Sequence, residues 1–322
     1  MVIEVKKKNK KLKKIFIIVG SIFLVLVISF LFLLYGPYSG FRDFLITSSM
    51  TTKSHQYIAK FFYSDKTIDK VLKKNGIIEG DKSTDTNLIN IKKKKKSKTY
   101  KNEYEKQILD RNEDESLYKV INVSGKTYQG YLVAIYDPSR VGIATTRYLG
   151  VRGEAIDNVA KRYGAVVAMN AGGFYDPDWI SNGALPHGFT NDNKLVLGKF
   201  SKREALNMGI RDAVEFGPFL IINGEASKVL GNGGWGIAPR TAIGQRQDGI
   251  VLFLVINGRI PTSIGADMND LIDIMQRYGA YNAANMDGGS STELVINNKI
   301  INKPVAGGRD GLRDMPTFWI VK

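Results

Sequence analysis

The longest apolar stretch of the chain runs from Ile15 to Tyr35 and contains no charged side chain. As a helix rising about 1.5 Å per residue, it spans roughly 30 Å, the thickness of a bilayer core. Seven lysines lie within residues 6–14, and lysine-rich flanks stay in the cytoplasm. The pattern predicts a cytoplasmic basic tail (1–14), a transmembrane anchor (15–35) and an extracellular remainder. The alternative is a cleaved signal peptide, but its apolar core is normally about 7–15 residues with a small-x-small site after it.

The segment 36–114 mixes short amphipathic pieces with polar stretches. Residues 54–62 and 67–74 predict short helices, the second capped by Asp65 or Thr67. Residues 80–114 are polar and include five consecutive lysines, Lys92 to Lys96. We predict an extracellular stalk or linker, whose lysine run is either simply solvated or attracts anionic wall polymer or lipid head groups. No aromatic residues interleave that run, so we expect no nucleic-acid partner.

From residue 115 onwards the pattern becomes that of a folded domain. The segment holds 28 of the 33 glycines, and Val251 to Ile256 is apolar throughout, which predicts a strand buried on both faces. Asn223-Gly224 and Asn257-Gly258 are turn signals. Further strand-like runs are 128–136, 165–169, 219–222 and 317–321, and amphipathic helices are predicted at 154–163 and 269–278. Residues 115–322 therefore predict an α/β (α+β) domain, a mixed sheet with helices packed on it.

Two helix–glycine–strand units stand out within this domain. Each predicted helix is followed by Gly-Ala, an apolar run and a polar, glycine-rich elbow: Asn170-Ala171-Gly172-Gly173 in the first unit and Asp287-Gly288-Gly289-Ser290 in the second. Glycine lets the backbone adopt positive φ and approach a ligand closely. We interpret the units as a pseudo-repeat whose elbows face one cleft. The alternative is two unrelated turns.

Charge and composition narrow the function classes. The formal net charge is +15, but residues 1–114 carry +12 of it and residues 115–322 only +3, so the basicity does not belong to the folded domain. The absence of Cys excludes disulfides, thiolate nucleophiles and zinc–thiolate sites. Only two histidines occur, which excludes a His-rich metal centre. The chain also lacks the phosphate-binding G-x-x-x-x-G-K-[ST] loop, the G-x-S-x-G elbow and the H-E-x-x-H motif.

Asp287 is the first candidate for chemistry, because the end of a buried strand holds a side chain at an oriented position. It can equally cap the following turn. The candidates for a second carboxylate are Asp176, Asp178, Asp267 and Glu293; Asp267 is equally a helix cap, and Glu293 is expected to face outwards from a strand. Asn170 offers a buried amide that can hold a sugar hydroxyl or position water, or is a turn residue.

Two arginines are candidates for binding an anion. Arg240, in Pro239-Arg240-Thr241, precedes a short apolar strand, and Arg309 lies among Gly307, Gly308 and Gly311. A guanidinium is a planar, always charged fork that suits phosphate or carboxylate. The alternative for each arginine is a surface salt bridge. His187 lies in a predicted loop and is either structural or an acid–base group.

These motifs, in this order, resemble the phosphodiester glycosidase family. The series spans about residues 120–322 and consists of Asn170 to Tyr175, Phe216-Gly217-Pro218 with Asn223-Gly224, Arg240 to Gly244, Asn257-Gly258-Arg259, Ser263-Ile264-Gly265, Gly279-Ala280, Asn285 to Ser291 and Asn302-Lys303-Pro304. Together with the anchor, it is similar to membrane-tethered Gram-positive members, whose relatives are often labelled exopolysaccharide biosynthesis proteins.

The resemblance implies hydrolysis of a sugar-1-phosphodiester in cell-surface polysaccharide metabolism. It implies catalytic roles for Asp287 and Asn170, and substrate contacts from Arg240, Thr241, Gly172, Gly173, Gly288, Gly289, Ser290, Ser291 and Arg309. We expect a glycan or sugar-phosphate substrate and no cofactor. Metal dependence stays open, because Asp and Asn oxygens suit a hard cation such as Ca²⁺ or Mg²⁺. The alternative is a non-catalytic glycan-binding or polymer-assembly protein on the same fold.

Overall fold

A computed structural model of the chain describes residues 2–52, 55–80, 83–91, 99–174 and 186–322. The chain divides into two compact units, Met1–Asn75 and Gly76–Lys322.

The first unit is helical. Its helices are α1 (Val2–Tyr35), α2 (Ser39–Met50), α3 (Gln56–Phe62) and α4 (Asp65–Lys74). They share a small core that includes Ile46, Ala59 and Val71. Ser64, rather than Asp65 or Thr67, caps α4, because its side chain accepts a hydrogen bond from the Thr67 N–H. Within the described residues, the segment Lys13–Tyr35 of α1 is long and apolar enough to cross a membrane.

The second unit contains four helices and seventeen strands among its described residues. The helices are α5 (Glu103–Leu109), α6 (Ile156–Tyr163), α7 (Lys202–Asn207) and α8 (Met268–Arg277). The strands are β1 (Gly76–Ile78), β2 (Tyr118–Ser124), β3 (Gln129–Ile135), β4 (Val141–Thr145), β5 (Val167–Asn170), β6 (Pro186–Thr190), β7 (Leu195–Leu197), β8 (Ile210–Glu215), β9 (Phe219–Ile222), β10 (Glu225–Ala226), β11 (Lys228–Leu230), β12 (Arg240–Arg246), β13 (Val251–Ile256), β14 (Ala280–Asn285), β15 (Leu294–Ile296), β16 (Lys299–Ile300) and β17 (Thr317–Val321).

Two larger sheets form the body of this unit. A seven-stranded sheet has the order β10-β9-β14-β12-β13-β3-β2, and a five-stranded sheet has the order β16-β15-β5-β17-β4. Two smaller sheets are β1-β11 and β7-β6-β8. The strand pairs of the two larger sheets are antiparallel throughout the described residues. The predicted α/β (α+β) class is confirmed.

The layers of this unit follow from the alternation of side chains along the strands. In β13, Leu252 and Leu254 pack with α5 and α8, whereas Phe253 and Val255 face the five-stranded sheet. The outer face of the five-stranded sheet is covered by α6. Every residue of β13 is buried, so the prediction of a strand buried on both faces is confirmed. The order of layers is helix, sheet, sheet, helix.

The described residues of 76–114, a range predicted to belong to the stalk, are part of this second unit. The lysine run Lys92 to Lys96 lies outside the described residues. Strand β1 pairs with β11, and Ile108 of α5 is fully buried in the core. The Tyr136 hydroxyl donates a hydrogen bond to the Ile108 carbonyl (2.6 Å). The unit therefore begins well before residue 115.

Candidate active site

The two glycine-rich elbows lie against each other, and Asn170 joins them. Its side-chain N–H donates to the main-chain carbonyl of Asp287 (2.5 Å). Its amide oxygen accepts from the Thr241 hydroxyl (2.8 Å) and from the Glu293 N–H (3.1 Å). The Asp287 N–H in turn donates to the Ala171 carbonyl (3.2 Å). The elbows of β5 and β14 are thus one hydrogen-bonded structure rather than two unrelated turns.

The second elbow needs glycine for two separate reasons. A Cβ at Gly288 would lie 2.9 Å from the Pro239 carbonyl oxygen, so the backbone passes too close for any side chain. Gly289 has φ +61°, the left-handed conformation that glycine adopts without strain. Its N–H donates to the same Pro239 carbonyl (2.9 Å). These contacts fix the position of Asp287, which is half-buried and accepts a hydrogen bond from the Gly288 N–H (3.0 Å).

Two arginines that were not among the predicted site residues lie at the second elbow. Arg313 donates to the Ser291 hydroxyl (2.7 Å), and its guanidinium lies 4.7 Å from the ring centre of Phe174. Arg259 lies beside Gly289, where an added Cβ would be 3.3 Å from its guanidinium. Arg259 forms no ion pair with a carboxylate of the described residues. The turn signal Asn257-Gly258, directly before Arg259, is the sequence feature that could have pointed to this residue.

Glu293 is a buried acid beside this elbow. It is fully buried, contrary to the expectation that it faces outwards. One carboxyl oxygen accepts from the Arg313 N–H (2.6 Å), and the other has no partner among the described residues. Burial raises the pKa of Glu293 to about 8, partly opposed by that hydrogen bond and reinforced by the Asp157 charge. The group is therefore mostly protonated at neutral pH and can act as a hydrogen-bond donor.

The two arginines that were predicted to bind an anion, Arg240 and Arg309, contact other groups of the protein. Arg240 is buried and donates to the carbonyls of Ala266, Trp235 and Gly236. Burial lowers the pKa of Arg240 to about 10, with a further contribution from the neighbouring Arg259 charge. Arg309 is an exposed surface residue that pairs with Asp157 (2.7 Å) and Asp310 (2.9 Å). In these contacts, neither guanidinium is directed at the elbow.

The remaining sequence candidates lie in different environments. Ser290 and Ser291 lie on a short 3-10 turn at the second elbow, as expected. Asn170 and Thr241 are buried and bonded to protein atoms, so they position the elbow rather than offer a free surface to a ligand. Asp267 caps α8. His187 is buried in strand β6 rather than a loop, with its Nε2 atom 3.3 Å from the Met286 sulfur. Asp176 and Asp178 lie outside the described residues.

A cavity of about 560 Å³ adjoins the first elbow. Gly172 and Gly173 form part of its wall, together with Phe200, Val214 and Thr317. A Cβ at Gly172 would lie 3.2 Å from the Glu215 carbonyl oxygen, which is a tight contact. Within the described ranges, no three or more acidic or histidine side chains gather in a group that could hold a metal ion.

The described site is thus a glycine-rich elbow that carries a carboxylate, with Arg259 and Arg313 beside it, in a layered α+β unit. Residues 145–322, more than half of the chain, match the sequence model of a family described as phosphodiester glycosidase. The chain belongs to the phosphodiester glycosidase family.

Two individual proteins illustrate the relationship. The SPbeta prophage-derived uncharacterized protein YomE of Bacillus subtilis (strain 168) is 27% identical over 221 residues, covering 58% of this chain and 33% of that protein. The chain therefore spans about a third of the length of this curated relative. The catalytic domain of zebrafish N-acetylglucosamine-1-phosphodiester alpha-N-acetylglucosaminidase, auto-inhibited by its pro-peptide, shares the fold (TM-score 0.53, 19% identity) over 63% of this chain and 81% of that domain.

Proposed function

We propose that this protein hydrolyses sugar-1-phosphodiesters of cell-surface polysaccharide, releasing the sugar and a phosphomonoester. The observation that supports the proposal is the joined pair of elbows, which holds Asp287 in the same short loop as Gly289, beside the Arg259 guanidinium, and Ser291, which is bonded to Arg313. A carboxylate flanked by cations suits a reaction in which positive charge develops on a sugar ring while a phosphate leaves.

In the proposed reaction, the bond between the anomeric carbon and the phosphate oxygen breaks, and its electron pair leaves with the phosphate. Water adds its oxygen to the anomeric carbon and gives up a proton. Asp287 either accepts that proton as a general base or first bonds to the carbon as a nucleophile. In the second case the water oxygen then displaces the Asp287 carboxylate, and the proton goes to the released phosphate. The two roles give opposite anomers of the released sugar. Arg259 stabilises the phosphate charge, because it has no carboxylate partner among the described residues.

The cellular setting is also a proposal. Helix α1 crosses the membrane with the lysine-rich tail in the cytoplasm, and the second unit acts outside the cell. The substrate would then be a phosphodiester-linked glycan of the envelope, such as a capsule or a teichoic-acid-like polymer.

The test uses the full chain in detergent and N-acetylglucosamine 1-(methyl phosphate), with release of reducing sugar as the measurement. We expect turnover by the wild type, a fall of roughly a hundredfold or more in kcat for Asp287→Asn, and little change for the control Asp273→Asn, a half-exposed side chain on α8. Binding of the substrate without turnover would instead favour a glycan-binding protein. Equal activity of wild type and Asp287→Asn would remove Asp287 from the mechanism.

A further inference from the structure

A second cavity, of about 670 Å³, lies beside the start of α6 and is strongly basic. Its charged lining consists of four cations, Arg147, Arg152, Lys161 and Arg162, and two carboxylates, Glu154 and Asp314. Its lining thus carries an excess of positive charge, although the segment 115–322 as a whole is only weakly basic. A concave surface with an excess of one sign of charge concentrates ligands of the opposite sign.

The pairing of these charges leaves two cations available. Glu154 binds Arg162 (2.7 Å) and lies 3.7 Å from Arg147, so its single charge is shared between two arginines. Arg152 and Lys161 form no ion pair with any carboxylate that the structure describes. The guanidinium of Arg152 lies 3.9 Å from the ring centre of Tyr148, and this stacking holds the planar fork in one orientation.

The basic cavity borders the same segments as the candidate active site. Asp314 lines it, and the preceding residue, Arg313, bonds to Ser291 at the second elbow. The loop that begins at Tyr148 separates it from the cavity at the first elbow, because Tyr148 lines the basic cavity whereas Leu149 and Gly150 line the other. A linear ligand that occupies the elbow therefore has a short path to Arg152 and Lys161.

We propose that the basic cavity binds a second phosphate of a phosphodiester-linked glycan, so that the protein acts on a polymer with repeating phosphates rather than on an isolated phosphodiester. The inference rests on the proposed function. A neutral glycan would gain nothing from the unpaired cations, whereas a phosphate accepts the charge-assisted hydrogen bonds that a stacked guanidinium donates.

The test measures affinity and turnover separately in the full chain in detergent. The probes are a fluorescent six-repeat oligomer of N-acetylglucosamine 1-phosphate and the single methyl phosphodiester. The double variant Arg152→Gln/Lys161→Gln is compared with Lys228→Gln/Lys299→Gln, which removes the same charge from exposed strands β11 and β16. We expect the first variant to bind the oligomer about tenfold or more weakly and to process the single phosphodiester as the wild type does.

The outcomes separate the two proposals. Equal loss of oligomer affinity in both double variants, or no loss in either, would overturn the role of the cavity. Equally strong competition by an oligothymidylate of the same charge would overturn the glycan as the ligand. If the wild type hydrolyses neither probe while the cavity variant still loses oligomer binding, the cavity stands and the proposed activity fails. Lys161→Gln alone, at an exposed position, serves as the second variant if the double substitution lowers the Tm.

Discussion

Asn170 is the residue that makes one site out of two sequence segments. Its side-chain N–H donates to the Asp287 carbonyl, and its side-chain oxygen accepts from the Thr241 hydroxyl and the Glu293 N–H. These three partners lie in different segments of the chain. A buried polar network is rigid when every member is satisfied and costly when one is missing. Asn170 is therefore best understood as a positioning residue for Asp287.

The arginines at the elbow lead to the first prediction. Arg313→Lys should lower kcat/KM for the sugar phosphodiester by roughly tenfold or more, because lysine cannot both bond Ser291 and lie flat on the Phe174 ring. Arg309→Lys is the control, since that guanidinium is exposed and paired with Asp157 and Asp310. A larger loss of kcat/KM in Arg309→Lys than in Arg313→Lys would favour Arg309, which the sequence suggested, as the arginine that binds the phosphate.

Glu293 gives a prediction about pH. The folded state holds a proton on this carboxyl up to about pH 8, whereas the unfolded chain releases it near the ordinary value of 4.5. Between these values the unfolded state binds fewer protons, so raising the pH lowers the free energy of unfolding. The wild-type Tm should therefore fall between pH 5 and 8 by several degrees more than that of Glu293→Gln, since about 1 kcal/mol moves the Tm of such a domain by roughly 2–4 °C.

The control for this measurement is Glu113→Gln, at an exposed position of the same unit. It should follow the wild-type pH profile. If Glu293→Gln also follows it, the carboxyl is not protonated in the folded protein, and a hydrogen-bond donor role at neutral pH is excluded.

At the scale of elements, the structure changes where the folded unit begins. Strand β1 has three residues and helix α5 has seven, and polar segments lie between them, so the range as a whole resembles a polar linker. Their few contacts are nevertheless with the core: Ile108 is fully buried, and the Tyr278 hydroxyl donates to the Gln107 side chain (2.7 Å). Short elements of this kind are stable only through tertiary packing.

A fragment that starts at residue 115 should consequently be much less stable than one that starts at residue 76. Removing α5 exposes the core face around Tyr278 and deletes Ile108, and a large buried side chain alone contributes about 2–5 kcal/mol. Thermal unfolding of the fragments 76–322 and 115–322, with Ile108→Ala in the full chain as a matched point change, measures this. Equal Tm values for the two fragments would mean that residues 76–114 are a linker after all.

Elements with strong periodicity were predictable from the sequence. The strands at 219–222 and 317–321 have the predicted bounds, and the helices at 156–163 and 268–277 begin within two residues of the prediction. The Asn223-Gly224 turn has positive φ at both residues. Strand β4 was missed, and its pairing partner β17 lies far away in the sequence. Strand β2 was missed although it pairs with the next strand along the chain, β3.

At the scale of the whole molecule, charge and hydropathy are distributed unequally along the chain. Residues 1–114 carry most of the net positive charge, and Lys13–Tyr35 is the candidate membrane span among the described residues. This asymmetry is what orients a single-pass protein, because lysines adjacent to a span are retained in the cytoplasm.

The orientation can be measured directly, because the chain has no cysteine to interfere. A single cysteine at Lys299, an exposed position of β16, should react with a membrane-impermeant maleimide in intact cells. A cysteine at Asn9, in the lysine-rich tail, should react only after the membrane is permeabilised. The opposite labelling pattern would place the second unit inside the cell, and labelling of the first variant in the culture supernatant alone would indicate a cleaved leader.

The sequence by itself determined the features that depend on neighbouring residues. The apolar run of α1, the strand that is apolar on both faces and the glycines of both elbows follow from local periodicity and backbone geometry. The tertiary structure alone decided which arginines lie at the second elbow. Arg240 turns to backbone carbonyls and Arg309 to surface carboxylates, while Arg259 and Arg313 reach the elbow from other loops. The protonation of Glu293 was equally inaccessible to sequence, because a pKa depends on burial and on charges that only folding brings together.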